Sequence, residues 1–163
     1  MKIQTAISCL HSCYDDISHF EKVATMYYRV IRVPQEDEYV LCLLHDIIED
    51  GKSTFDEIES IFGDKMASYC EILDHHRFGD YKDYVSACLE SYYPVRVVKI
   101  CDFLANYLTL LSLPRDKRIK LKAKYDSVSG IYVSSLKECW SNSTFKDVNS
   151  LITDINFTCE LQV

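Results

Sequence analysis

Four ionisable side chains close an otherwise apolar run at 39–50, YVLCLLHDIIED. Apolar residues on every side predict a helix buried in the middle of a helical protein, and a buried charge is costly unless it is paired, hydrogen-bonded or bound to a metal. The spacing points to a shared site. His45 and Glu49 are four residues apart, as are Asp46 and Asp50, so each pair stacks on one face over successive turns of a regular helix. His45 and Asp46 are neighbours whose side chains diverge by roughly 100° and can converge again on one cation. The alternative is a polar helix end with Gly51 as its C-cap and the acids solvated. Acids at that end oppose the helix dipole, so the run asks for positive charge nearby.

A second stretch repeats the anomaly. PVRVVKICDFLANYLTLL, from Pro94 to Leu111, is strongly apolar and begins with a proline suited to a first helical turn. Its polar members Lys99, Asp102 and Asn106 fall at i, i+3 and i+7 on one face, with Arg96 a turn earlier on a neighbouring face. A surface Lys99–Asp102 ion pair would explain two of them and is worth only a few tenths of a kcal/mol, about 0.2–0.5. Taken together with the first stretch, Asp102 is the natural further ligand to the same cation.

The elements that must position these groups read as helices throughout. Ile3–Cys13 forms a first helix and Ser18–Val33 a second, stopped by Pro34, with Ser18 as its N-cap and His19 in its first turn. By position alone His19 is a surface residue. Glu36 and Asp37 open the central helix, Ser53 or Thr54 caps a short helix through Ile61, and Lys65–His76 follows the break at Phe62-Gly63-Asp64. Asp74, His75 and His76 read as a polar helix end leading into the turn at Arg77-Phe78-Gly79-Asp80 rather than as a second metal cluster. Tyr81–Tyr92 is helical. After Pro114 a long helix runs from Arg115 to Trp140, with a kink expected near Ser127–Gly130, and Thr144–Ile155 forms a last one. The basic residues Arg115, Lys117, Arg118, Lys120, Lys122 and Lys124 of the long helix keep a face solvated, or attract phosphates where that face meets a site.

A length of 163 residues suits one domain with a sizeable core, and 48% hydrophobic content with few Gly and Pro favours an all-α helical bundle of about eight helices. The net charge of −7 argues against a nucleic-acid partner, and no apolar run reaches the length of a membrane span. Eight cysteines form no CxxC pair and sit within helical patterns, which predicts reduced core thiols and a cytoplasmic protein, of a host cell if the source is a virus. The oligomeric state is not legible.

His19, then LLHDIIED, then VVKICDFLAN, with FDEIESIFGDKM between, resembles the HD-domain metal-dependent phosphohydrolases. More narrowly it is similar to the hydrolase domain of the RelA/SpoT group and its small stand-alone, MESH1-like relatives, over roughly 17–111. HDxxED, the phrase FDEIESIFGDKM and K-x-x-D-x-x-x-N carry that narrower likeness. The resemblance implies that His19, His45, Asp46 and Asp102 hold one metal ion, usually manganese, that Glu49 and Asp50 serve the hydrolytic step, and that Asn106 contacts the nucleotide sugar. It also implies hydrolytic activity alone, since 163 residues leave no room for a synthetase half. Two departures stand out. Leu10–Phe20 has no Arg or Lys and carries Phe20 where relatives have Pro, and Phe103 stands where many have a basic residue.

Two imidazoles and two carboxylates suit a divalent transition metal (Mn, Fe, Zn or Ni) over calcium. Such a metal acidifies water and polarises a phosphoryl oxygen, while Glu49 or Asp50, a turn beyond the ligands, handles protons. Arg96 and Lys99 are candidates to neutralise phosphate charge. The expected function is release of the 3′-pyrophosphate from (p)ppGpp, a small-molecule nucleotide substrate. The alternatives are a phosphatase for another nucleotide (deoxynucleoside monophosphates, cyclic nucleotides or the 2′-phosphate of NADPH) and a catalytically silent nucleotide sensor.

Overall fold

A computed structural model describes residues 1–107 and 109–141, so the helix expected over Thr144–Ile155 lies outside the described residues. Within them the chain is all-α: α1 (Lys2–Cys13), α2 (Ser18–Val30), α3 (Glu36–Leu44), α4 (Phe55–Phe62), α5 (Asp64–Ile72), α6 (Tyr81–Glu90), α7 (Tyr93–Tyr107) and α8 (Arg115–Ser141), with short 3₁₀ turns at His75–Arg77 and Leu110–Ser112. Hydrophobic burial organises them around α7, of whose 15 residues 11 are buried. It packs against α2, α3, α5, α6 and α8. A helix so enclosed must be apolar on nearly every side.

Several boundaries differ from the sequence expectation. The central helix stops at Leu44, and 45–51 is a series of tight turns. The Leu44 carbonyl accepts from Ile47 N–H at 3.0 Å, and the Ile47 carbonyl accepts from both Lys52 at 3.0 Å and Ser53 at 3.2 Å. Gly51 sits at φ 62°, the left-handed region that a glycine adopts without steric cost. Unwinding here moves Glu49 and Asp50 off a helix C-terminus, where their charge would oppose the dipole. The second helix ends at Val30 rather than Val33, and its N-cap is Ile17, not Ser18. Asp16 Oδ1 takes the Ser18 N–H at 2.8 Å instead. Helix α5 stops at Ile72 rather than continuing to His76, because the buried Tyr84 hydroxyl captures the Leu73 carbonyl and Asp74 turns extended to cap the following 3₁₀ turn. Helix α8 continues through Ser127–Gly130, where a kink was expected.

Other local signals form as expected. Thr54 makes a capping box with Glu57 at the start of α4, each side chain satisfying the other's backbone N–H. The α2–α3 corner is pinned by Tyr27, whose hydroxyl accepts from Gln35 N–H at 2.6 Å and donates to Glu38 at 2.7 Å. Cys42, Cys70, Cys88, Cys101 and Cys139 are buried free thiols, matching the reading of core cysteines. No described helix is long and apolar enough to cross a membrane.

Candidate metal centre and the cavity beside it

Three elements bring His19, His45, Asp46 and Asp102 together: the first turn of α2, the turn after α3 and the middle of α7. His45 Nε2 lies 3.2 Å from His19 Nε2, 3.1 Å from Asp46 Oδ2 and 3.8 Å from Asp102 Oδ1. His19 Nε2 is 3.6 Å from Asp46 Oδ2 and 3.5 Å from Asp102 Oδ1. The neighbours His45 and Asp46 converge because the chain leaves the helix at Leu44.

The donor set fits a cation. His45 Nδ1 is 2.9 Å from the Cys42 carbonyl, and a carbonyl only accepts, so Nδ1 carries the proton and Nε2 presents its lone pair to the cluster. Without a metal, protons supply the positive charge. Burial disfavours charge on His19, but Asp102 and Asp46 outweigh it and push the imidazole up to about 10. Burial likewise opposes the charge on Asp46, yet His45 and His19 hold it well below the usual carboxylate range. Asp102 is held low in the same way, chiefly by Lys99 and then by the imidazoles.

The arms of Asp102 are fixed from its own helix. Lys99 Nζ donates to Oδ2 at 3.0 Å, and Asn106 Nδ2 donates to Oδ1. Lys99 is buried with its ammonium 4.6 Å from the centre of the Tyr84 ring. Behind the imidazoles sits Phe20. Its ring packs edge-on against His45 at 5.5 Å and against His19 at 5.7 Å.

A polar cavity of about 240 Å³ opens beside the cluster, walled by His19, Asp46, Asp102, Lys99 and Asn106 and, across it, by Glu49, His75, Tyr81, Tyr84, Lys124 and Tyr125. Glu49 and Asp50 part company there. Glu49 faces the cavity and meets His75, whereas exposed Asp50 accepts from the Tyr14 hydroxyl at 2.8 Å outside it. Arg96 does not join the group. Six residues before Asp102, it lies about 120° around α7 from that side chain, reaches Glu138 of α8 at 3.5 Å and lines a separate cavity. The cavity gains instead Lys124, whose ammonium sits 4.0 Å from the centre of the Tyr81 ring. Burial, with the nearby Lys99 charge, lowers the Lys124 pKa.

Sequence reasoning set aside His75 and did not single out Tyr81, Tyr84 or Tyr125. The three tyrosines look like core aromatics in sequence, and two of the three are buried. Phe103 turns away from the cavity, with its ring stacked on Tyr132 at 3.9 Å and 7°.

The all-helical fold of this chain has a counterpart among solved structures. The likeness is to a solved structure described as a metazoan ortholog of SpoT that hydrolyzes ppGpp and plays a role in starvation responses. It has a TM-score of 0.68 and 15% sequence identity, over 96% of this chain and 92% of that one. No family model matches the chain, and no curated protein matches it either.

Proposed function

We propose that this protein is a metal-dependent phosphohydrolase that removes the 3′-pyrophosphate of (p)ppGpp, with manganese as its ion. The observation that carries this reading is the convergence of His19, His45, Asp46 and Asp102 in a fold shared with a protein that hydrolyzes ppGpp. His19, His45, Asp46 and Asp102 hold the ion, through two nitrogens and two carboxylates. When bound, the metal supplies Lewis acidity toward water and a phosphoryl oxygen.

The remaining work falls to the chain's own groups. Lys99, fixed against Asp102, and Lys124, across the cavity, neutralise phosphate charge. Asn106 contacts the sugar with the amide hydrogen that Asp102 leaves free. Glu49, which faces the cavity, takes the proton of the attacking water. The water oxygen bonds to phosphorus, the bond from phosphorus to the 3′ oxygen breaks, and that oxygen takes up the proton that Glu49 gives back. Asp50 braces the turn through Tyr14 rather than meeting substrate.

A second reading, a phosphatase for another nucleotide, is favoured by one dimension and one absence. The cavity, at about 240 Å³, is below the roughly 300–1,000 Å³ usual for a whole small-molecule ligand. The stretch 10–20 also lacks the basic residues that help hold guanine in the family it resembles. The test is a panel of nucleotides with purified protein and manganese. Pyrophosphate released from ppGpp alone supports the first reading; orthophosphate from a deoxynucleoside monophosphate or NADPH, or a nucleoside monophosphate from a cyclic nucleotide, supports the second. Tight binding without turnover would make the protein a sensor.

A further inference from the structure

We infer that His75 is a positioning residue for Glu49, holding the carboxylate by both oxygens at the cavity wall; this rests on the reading of Glu49 as the proton acceptor. His75 Nδ1 is 2.7 Å from Glu49 Oε1, and the His75 main-chain N–H donates to Oε2 at 3.1 Å. Two donors from one residue thus meet both oxygens of one carboxylate, across 26 residues of sequence. A surface ion pair between flexible side chains has no reason to engage the backbone as well. Here the backbone N–H fixes where the carboxylate sits and the ring fixes its rotation.

The turn that carries His75 is itself built to stay in place. Asp74 Oδ1 accepts from His76 N–H at 2.9 Å, and Phe78 N–H returns to the His75 carbonyl at 3.0 Å. The hydroxyl of buried Tyr84 holds the Leu73 carbonyl. Arg77 ties the far side of the turn to Glu71 at 3.1 Å. The chain therefore spends one preorganised turn on the orientation of a single carboxylate. Glu49 needs that support, because it sits in irregular turns beyond the end of α3 and has no helical neighbour to fix it. Each Glu49 oxygen accepts one hydrogen from His75 and keeps a further lone pair, so the grip leaves the carboxylate able to take a proton from water in the cavity.

The role separates from two others that the same contacts allow. A proton carrier needs the imidazole ring itself, whereas a positioner needs only a donor at Nδ1. Asparagine places an amide N–H close to that position, and phenylalanine keeps the ring shape with no donor. The experiment compares wild type, His75→Asn and His75→Phe in the manganese-loaded protein, measuring kcat and KM on whichever nucleotide the wild type turns over, with melting temperature and bound metal recorded for each. The expectation is a kcat loss of about 100-fold for His75→Phe, the scale on which small misplacement of a reacting group acts. KM and metal content should hold within about 2-fold by the same argument, and His75→Asn should recover most of the rate. Asn as inactive as Phe would overturn the inference in favour of a ring that carries the proton itself. Full activity in both variants would overturn it in favour of a structural pair. A wild type inert toward every nucleotide sinks the hydrolase reading as well, an outcome distinct from an active wild type with indifferent variants.

Discussion

His45 and Asp102 show how much one side chain's second contact decides. The Cys42 carbonyl sets which His45 nitrogen carries hydrogen, and Lys99 and Asn106 set where the Asp102 oxygens point. Asp102→Ala should therefore lose bound metal and turnover together, whereas Glu49→Gln should keep the metal and lose turnover. Metal content by elemental analysis beside a rate assay separates the two, and a Glu49→Gln protein of normal rate would remove that residue from the mechanism. The metal-free protein offers a pH test. His19 rises from the usual imidazole value of 6.5 to about 10 on folding, so its protonation stabilises the fold fully below about 6.5 and progressively less as pH climbs through 10. The stability advantage of wild type over His19→Asn, from denaturant melts in chelator, should shrink across that window. A constant difference would mean that the carboxylates do not act on this imidazole.

At the scale of elements, what was legible in the sequence was what lies on one helix. Lys99, Asp102 and Asn106 share a face because helical spacing dictates it, and the apolar length of α7 announced its burial. The fate of the acidic pair was not legible, since the helix ends at Leu44 for tertiary reasons, and the end decides that Glu49 turns to His75 and Asp50 to Tyr14. His75 was read as a polar helix end because nothing in a local pattern signals a partner 26 residues away. Arg96 was drawn in by proximity in sequence, although its direction around α7 takes it to Glu138. Phe103 belongs to the packing between α7 and α8. Its ring stacks on Tyr132 and lies edge-on to Tyr125 at 5.8 Å, with no exposure to the cavity. Phe103→Lys should therefore cost about 3 kcal/mol or more in a urea melt, through lost packing and an unpaired buried charge. Unchanged stability with improved nucleotide binding would show that this position faces the substrate instead.

For the molecule as a whole, the core and the centre are one construction. Helix α7 is the hydrophobic axis on which the others pack, and the same helix delivers Asp102, Lys99 and Asn106 to the cavity. Ion binding should then stabilise the entire fold by mass action, by about 2.7 kcal/mol at a hundredfold excess over Kd. For a domain of this size that is a rise of roughly 5–10 °C in Tm. Calorimetry with and without manganese checks it, and Asp102→Ala should flatten the response. The helical frame and the ordered motifs were readable because burial and helical periodicity act locally. The wall formed by His75, Tyr81, Tyr125 and Lys124 was not, because it exists only once the His75–Arg77 turn, α6 and α8 meet around the cavity.

The most direct test is the position of manganese in an anomalous difference map from a crystal grown with the ion. The account predicts one dominant peak within ligand distance of His19 Nε2, His45 Nε2, Asp46 and Asp102 together. The described residues hold a second imidazole–carboxylate group at Asp74, His75 and His76. A dominant peak there, or a map with none between His19 and Asp102, would contradict it.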